Sequence, residues 1–264
     1  MARFEQFAAC AALGAALVLV CSTANATTIS GAIDLGYGYT KVSKGGGHMN
    51  NWNGSGTALV DFGNGMNLQV GSGGGRTTFS GVDVNTWKID GAIFWRDWAG
   101  AFGASVNHHS FSGAFTPLGL GTSAKFTDYG VFGDYYMTKD ITLSGAGGAF
   151  SGDVKGYYGG GGLTYYLMRN VAFTADGSYV KIRNGGGHAT DFGAKLEYAP
   201  FARIPVSMYA GYDYTDLSGT SSKLHTFSVG FTVYFDGGAG DSLVDHHRKG
   251  VVGSITSPFS SLLR

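Results

Sequence analysis

Cysteine is nearly missing: of 264 residues only Cys10 and Cys21 carry a thiol, and both fall within the first 26. The chain beyond them can form no disulfide, no cysteine-ligated metal centre and no thiol redox couple. Charge is scarce as well, at 14% of residues against about 25% in soluble domains. Lys plus Arg and Asp plus Glu both number 18, so the basic excess expected of a nucleic-acid partner is absent. Only four prolines interrupt the chain. After residue 26 no apolar run approaches the ~20 residues of a membrane helix, so any membrane crossing must use strands. What is abundant is glycine, 46 residues, and aromatic side chains, 14%. Glycine is a poor helix former, whereas Tyr, Phe, Val and Thr suit a pleated surface. The composition therefore points to an all-β chain.

Residues 1–26 start with Met-Ala-Arg, continue through an apolar stretch from Phe7 to Val20 and end on Ala24-Asn25-Ala26. A basic start, a short apolar core and a small-x-small end are the order of a cleaved secretory signal peptide. Bulky Val20 ahead of Cys21 disfavours lipid attachment there.

From Ile29 the odd positions read Ile, Gly, Ile, Leu, Tyr, Tyr and the even ones Ser, Ala, Asp, Gly, Gly, Thr. A period of two over about ten residues describes a strand between two different surroundings, with the length of a tilted membrane-crossing strand. The same dyad returns about twelve times. Ala58, Val60 and Phe62 lead through an Asn64-Gly65 turn to Met66, Leu68 and Val70, a hairpin signature. Trp87 to Trp95, Phe102 to Val106, Tyr129 to Met137, Phe192 to Tyr198, Val206 to Tyr214 and Phe227 to Phe235 alternate likewise, while the glycine-rich segments after Ile141 and Tyr157 do so less cleanly. The expected fold is a transmembrane, antiparallel up-and-down β-barrel of about 12 strands over residues 27–235. It follows the leader at 1–26 and precedes a flexible periplasmic tail at 236–264, where Gly237 to Gly240 resembles a linker.

Alternate connections are short (Gly63 to Gly65, Arg96 to Trp98, Thr138 to Asp140, Met168 to Asn170, Pro200 to Pro205). The intervening ones (Ser43 to Asn53, Ser72 to Asn85, His108 to Ala124 among them) are expected as extracellular loops. Aromatics cluster near both strand ends, as two interfacial girdles would. A β-sandwich also alternates, but it gives no reason for that banding.

The final segment, Ser228-Val229-Gly230-Phe231-Thr232-Val233-Tyr234-Phe235, is similar to the C-terminal signal by which outer-membrane barrels are recognised by their assembly machinery, with Ser228, Gly230, Val233 and Phe235 at its marked positions. Over its mature length the chain resembles porin-like outer-membrane proteins of Gram-negative bacteria. The resemblance implies an outer-membrane location, contact with outer-membrane lipid and with the assembly machinery, and passive diffusion of small hydrophilic solutes, without naming a solute or an oligomeric state.

Parity assigns an inward set of Asp34, Asp61, Asp90, Asp128, Asp134, Asp176, Asp191, Glu197 and Asp213 against Lys88, Arg96 and Lys195. Such a lumen favours cations if water fills it. Inward glycines (Gly36, Gly38, Gly71, Gly130, Gly148, Gly160, Gly162, Gly193) are expected to leave room. No cofactor and no catalytic activity are expected. Two other readings compete with the channel. One is a surface barrel that binds a partner through its loops, where Gly45-Gly46-Gly47-His48 and Gly185-Gly186-Gly187-His188 repeat one pattern that could also offer a metal two histidines. The other is a lipid-modifying enzyme built on His108 and Ser110, two residues apart as an acyl-transfer base and nucleophile could be. Gly73-Gly74-Gly75-Arg76 is not followed by the helix a phosphate loop needs.

Overall fold

The computed structural model describes residues 28–43, 47–79, 82–113, 123–183, 187–201, 204–218, 222–236 and 242–253. The expected signal peptide and the Gly237 to Gly240 linker lie outside them. Twelve strands follow in order: β1 (Thr28–Val42), β2 (His48–Asp61), β3 (Met66–Phe79), β4 (Val82–Arg96), β5 (Gly100–Ser112), β6 (Ser123–Thr138), β7 (Ile141–Gly152), β8 (Gly156–Met168), β9 (Val171–Ile182), β10 (His188–Tyr198), β11 (Val206–Leu217) and β12 (Ser222–Asp236). Each pairs antiparallel with its neighbours in sequence, and β12 pairs with β1 from Ser30↔Asp236 to Val42↔Leu224, which closes the barrel. Closure removes every free strand edge, so the ladder donors and acceptors are met within the wall, as a lipid environment requires, with irregularities only near the turn end at Tyr135/Thr138 and Tyr166/Met168 among the described residues.

Alternation fixes which residue meets which surroundings. On β1 the even residues Ala32, Gly36 and Thr40 are buried, while Ile33, Leu35 and Tyr39 are exposed on the outside. Trp52, Phe102, Val131, Tyr135, Met208 and Phe227 are each more than half exposed on the outer wall. A soluble protein rarely exposes an apolar surface of this extent; hydrocarbon is the solvent that suits it. Tyr39, Trp87 and Tyr179 stand outward toward one end, Trp95, Tyr135, Tyr198 and Phe235 toward the other, which gives the two girdles.

Two expectations are corrected. The long loops are mostly strand: β2 starts at His48, and β3 and β4 run to Phe79 and from Val82, so only two residues separate them where Ser72 to Asn85 was expected as a loop. Hydropathy alternation stops where the wall leaves lipid, but backbone pairing is indifferent to side-chain polarity and carries the ladder on past that point. The wide connections are then residues 113–122 at the loop end and 199–205 at the turn end. The second correction concerns the tail, where residues 242–253 are ordered against the barrel. Helix α1 (Leu243–Lys249) starts at Ser242, whose hydroxyl accepts from the Asp245 N–H. Leu243 packs with Ala32, Tyr166, Ala172 and Tyr234, and Val252 with Leu59, Ala92, Phe94, Ala101 and Phe132, all inward residues of the turn half. The apolar Leu243 and Val252 flank the charged run, and their burial, about 1.5–3 kcal/mol for a side chain of this size, draws the segment in.

Candidate functional site: the lumen and its C-terminal plug

The interior holds a cavity of about 480 Å3, lined by the acids Asp34, Asp90, Asp134, Asp176, Glu197 and Asp213 and by the bases Lys88, Lys195 and His247. Two basic groups are matched locally, Lys88 with Asp90 at 3.6 Å and Lys195 with Glu197 at 2.9 Å. Asp34 accepts from the Tyr209 hydroxyl at 3.2 Å and from Thr232 at 3.0 Å. The carboxylates of Asp176 and Asp213 converge above Gly193, each with an oxygen within 3 Å of where a Cβ would stand.

Three of the parity-assigned acids sit elsewhere. Asp61 lies at the β2–β3 turn and accepts from the Gly63 N–H at 2.7 Å. Asp191 is sealed in the wall, accepting from Thr215 at 2.5 Å. Asp128 has no exposed surface and gathers Asn107 at 2.7 Å, His109 at 2.8 Å and Tyr158 at 3.2 Å. Around this hub Phe126, Phe150, Val154 and Val180 make an apolar cluster inside the loop half of the barrel. Parity would place Tyr158, Tyr209 and His109 inward, but their role depends on partners one or two strands away.

Of the inward glycines, Gly160 and Gly162 line the cavity, whereas others are covered. Neighbouring side chains lie over them: Asn51 over Gly38, Asp90 over Gly71, Tyr158 over Gly130 and Gly148. The Tyr209 ring covers Gly230 and reaches Gly36, each with a Tyr209 atom within 2.6 Å of a would-be Cβ. That seat explains the glycine of the β12 motif, where Ser228 and Gly230 face inward and Val233 and Phe235 outward. Gly230→Val should lift the ring off Asp34 and lower stability by about 1–3 kcal/mol, read as a lower urea midpoint for barrel unfolding in vesicles. An unchanged midpoint would show that the ring has another place to go.

The turn-side mouth is crossed by the tail. Gln69 of β3 holds Val252 at both its N–H and its carbonyl, at 2.9 and 3.2 Å. Arg96 of β4 donates to the carbonyls of Lys249 and Gly250, both at 2.7 Å. Across the ring, Arg248 donates to the carbonyls of Thr138 and Ile141 at 2.7 and 3.0 Å, and Tyr136 donates to the Arg248 carbonyl at 3.1 Å. His247 lies between Tyr166 and Tyr234 with Glu197 at 3.5 Å, and the His246 ring stacks on Tyr234 at 4.4 Å. Contacts on β3, β4, β6, β7, β8, β10 and β12 mean that the segment spans the mouth rather than lining one wall. Within α1, burial works against charge on Asp245, but hydrogen bonds from Lys249 and Ser242 and the charges of Lys249 and Arg169 outweigh it, holding the carboxyl below its usual range.

His108 and Ser110 stand on the outer face, His108 beside the Trp87 ring with Nδ1 3.0 Å from the Thr127 hydroxyl, Ser110 in register between Trp87 and Lys125. They do not line the cavity.

No protein-family model matches the sequence, and no curated protein matches it either. Among solved structures the barrel is similar to an outer membrane channel from Pseudomonas putida F1, at 12% identity and a TM-score of 0.59 over 79% of this chain and 95% of that one. It is similar also to the translocator domain of the autotransporter NalP from Neisseria meningitidis, at 15% identity and 0.52 over 87% and 97%. KdgM porin aligns at 13% identity and 0.50 over 76% and 98%. What these likenesses establish is the fold, a closed antiparallel barrel shared with outer-membrane porins and channels.

Proposed function

We propose that the protein is an outer-membrane diffusion channel for small hydrophilic solutes, biased toward cations, whose turn-side mouth is held shut by its own C-terminal segment. The observation that carries this reading is the pairing of an apolar outer wall with a cavity whose carboxylates outnumber its bases. Fixed negative charge in a confined aqueous space raises the local cation concentration and excludes anions. The likeness to porins and channels supports passage of solutes in general. The turn end faces the periplasm in this reading, since β1 begins there and β12 ends there.

Planar-bilayer recording across a potassium chloride gradient tests the bias. We expect a reversal potential on the cation side, moved toward zero when Asp34, Asp176 and Asp213 are all replaced by Asn. Anion preference in the unaltered protein, or a triple variant with the same reversal potential, would overturn the cation reading. Absence of conductance even after the tail is removed would overturn the channel itself.

A further inference from the structure

The sequence carries one hairpin tip twice. Tyr39-Thr-Lys41 followed by Gly45-Gly46-Gly47-His48 has the spacing of Tyr179-Val-Lys181 followed by Gly185-Gly186-Gly187-His188. The structure repeats the arrangement as well as the letters. Val42 donates its N–H to the Gly47 carbonyl at 3.0 Å, and Ile182 donates to the Gly187 carbonyl at 2.9 Å. Lys41 is in register with His48 across β1 and β2, as Lys181 is with His188 across β9 and β10. The His48 ring stacks on Tyr39 at 5.8 Å and the His188 ring lies 5.6 Å from Tyr179. Parity places all three side chains of each copy on the outer wall, at the loop-side end of the apolar belt.

Neither the lumen nor the plug uses these residues. Their neighbours extend the same chemistry: Lys41 is also in register with His225, and the Lys223 ammonium lies 5.7 Å from the Tyr214 ring centre. The Arg183 guanidinium stands 5.7 Å over Tyr157. Carboxylates are fewer here, with Asp216 in register with Lys223 and Asp83 paired to Arg76. At the turn-side end of the belt the outward positions are Ile29, Trp95, Phe102, Tyr135, Tyr198 and Phe235, none charged. Among strand positions, charge on the outer wall is therefore concentrated toward the loop end and is mainly basic there, with Asp153 of the β7–β8 connection as a third carboxylate. At the other end, among the described residues, charge is confined to the turns, at Asp97, Lys139, Asp140 and Arg169.

We infer that the two outward clusters Tyr39, Lys41, His48 and Tyr179, Lys181, His188 are binding sites for the phosphate groups of membrane lipids in the leaflet at the loop end. A lysine beside an imidazole on an aromatic ring, just above an apolar wall, offers a phosphate oxygen a cation and a second N–H donor. In the second copy that donor must be Nε2 of His188, because its Nδ1 is bonded to the Ser218 hydroxyl at 2.7 Å. The acyl chains would lie along Leu35 and Ile33 below the first copy. Each basic residue at a membrane surface strengthens binding to anionic lipid severalfold, and the aromatic ring keeps its place at the interface. The inference rests on the outer-membrane reading above, and the test separates the two.

The full mature protein is purified in mild detergent, exposed to phosphatidylglycerol, to a bisphosphorylated glycolipid or to phosphatidylcholine, and examined by native mass spectrometry. The variant carries Lys41→Gln, His48→Gln, Lys181→Gln and His188→Gln, exposed changes that leave the inner wall untouched. We expect the two anionic lipids to be retained over phosphatidylcholine, with retention falling about tenfold in the variant. Millimolar inorganic phosphate should not displace them, which distinguishes a lipid site from a free-phosphate site. A folded variant that retains the anionic lipids as well as the unaltered protein overturns the proposal, as does equal retention of phosphatidylcholine or displacement by phosphate. A barrel that conducts but binds no anionic lipid sinks this inference alone.

Discussion

A chain cut after Asp236 should pass several times the current of the full-length protein in planar bilayers, with long open periods in place of brief ones. In the proposed closed state the segment is held by Arg96, Arg248 and Gln69, which together bond backbone groups on both sides of the mouth. A hydrogen bond to a charged group contributes about 1.5–3 kcal/mol, and the buried Leu243 and Val252 add an apolar term of similar size each. Five residues separate β12 from Ser242, and so short a tether keeps the segment at an effective concentration in the millimolar range. Release is therefore rare in the intact chain. Arg96→Ala with Arg248→Ala should give an intermediate result, frequent openings to the conductance of the truncated barrel, because the plug stays attached while two of its anchors are gone. Equal conductance in the intact, doubly substituted and truncated proteins would mean that the segment does not obstruct the path. Truncation also leaves Phe235 next to the end of the chain, where the porin-like pattern puts its terminal aromatic, so failure to assemble is not the expected cause of any change.

How far the sequence led can be judged on particular elements. The strand count and the inward and outward faces followed from a period of two, because the two surroundings of a barrel wall differ more sharply than any others a strand meets. Loss of hydropathy alternation does not mark the end of a strand: in β3 the run Gly73-Gly74-Gly75-Arg76-Thr77 is paired in register to Trp87 and its neighbours although it shows no hydropathy pattern. The tail was misjudged for a different reason. Ser242-Leu243-Val244-Asp245 carries the signature of a helix start, with a hydroxyl residue and an acid three positions on, but seven helical residues cannot hold themselves together in water. The order comes from the barrel mouth, and nothing local announces it. The site was half legible for the same reason. Parity shows that Asp34 and Asp128 both point inward, but Asp34 stands on the cavity and Asp128 is sealed, and that difference is decided by Tyr158 from two strands away.

Asp128 is also where a single substitution should cost the barrel most. Its carboxylate is the shared acceptor of Asn107, His109 and Tyr158, in a pocket closed by Phe126 and Phe150, with the His109 ring stacked 4.8 Å from Phe126. Asp128→Ala withdraws that acceptor from three donors at once and leaves a gap among close-packed rings. A buried donor stripped of its partner costs about 1–3 kcal/mol, and three lose theirs together, so a loss of about 3 kcal/mol or more is expected. Asp128→Asn keeps an acceptor for one or two of the donors and the same volume, and should lose less than half as much. The order alanine worst, asparagine intermediate, unaltered protein most stable can be read from urea midpoints in vesicles. The acidic cavity near Asp176 and Asp213 is untouched by either change, so cation preference should survive in whatever fraction remains folded. If alanine and asparagine prove equally mild, the hub does not hold the loop half of the wall, and the ring cluster must do so by packing alone.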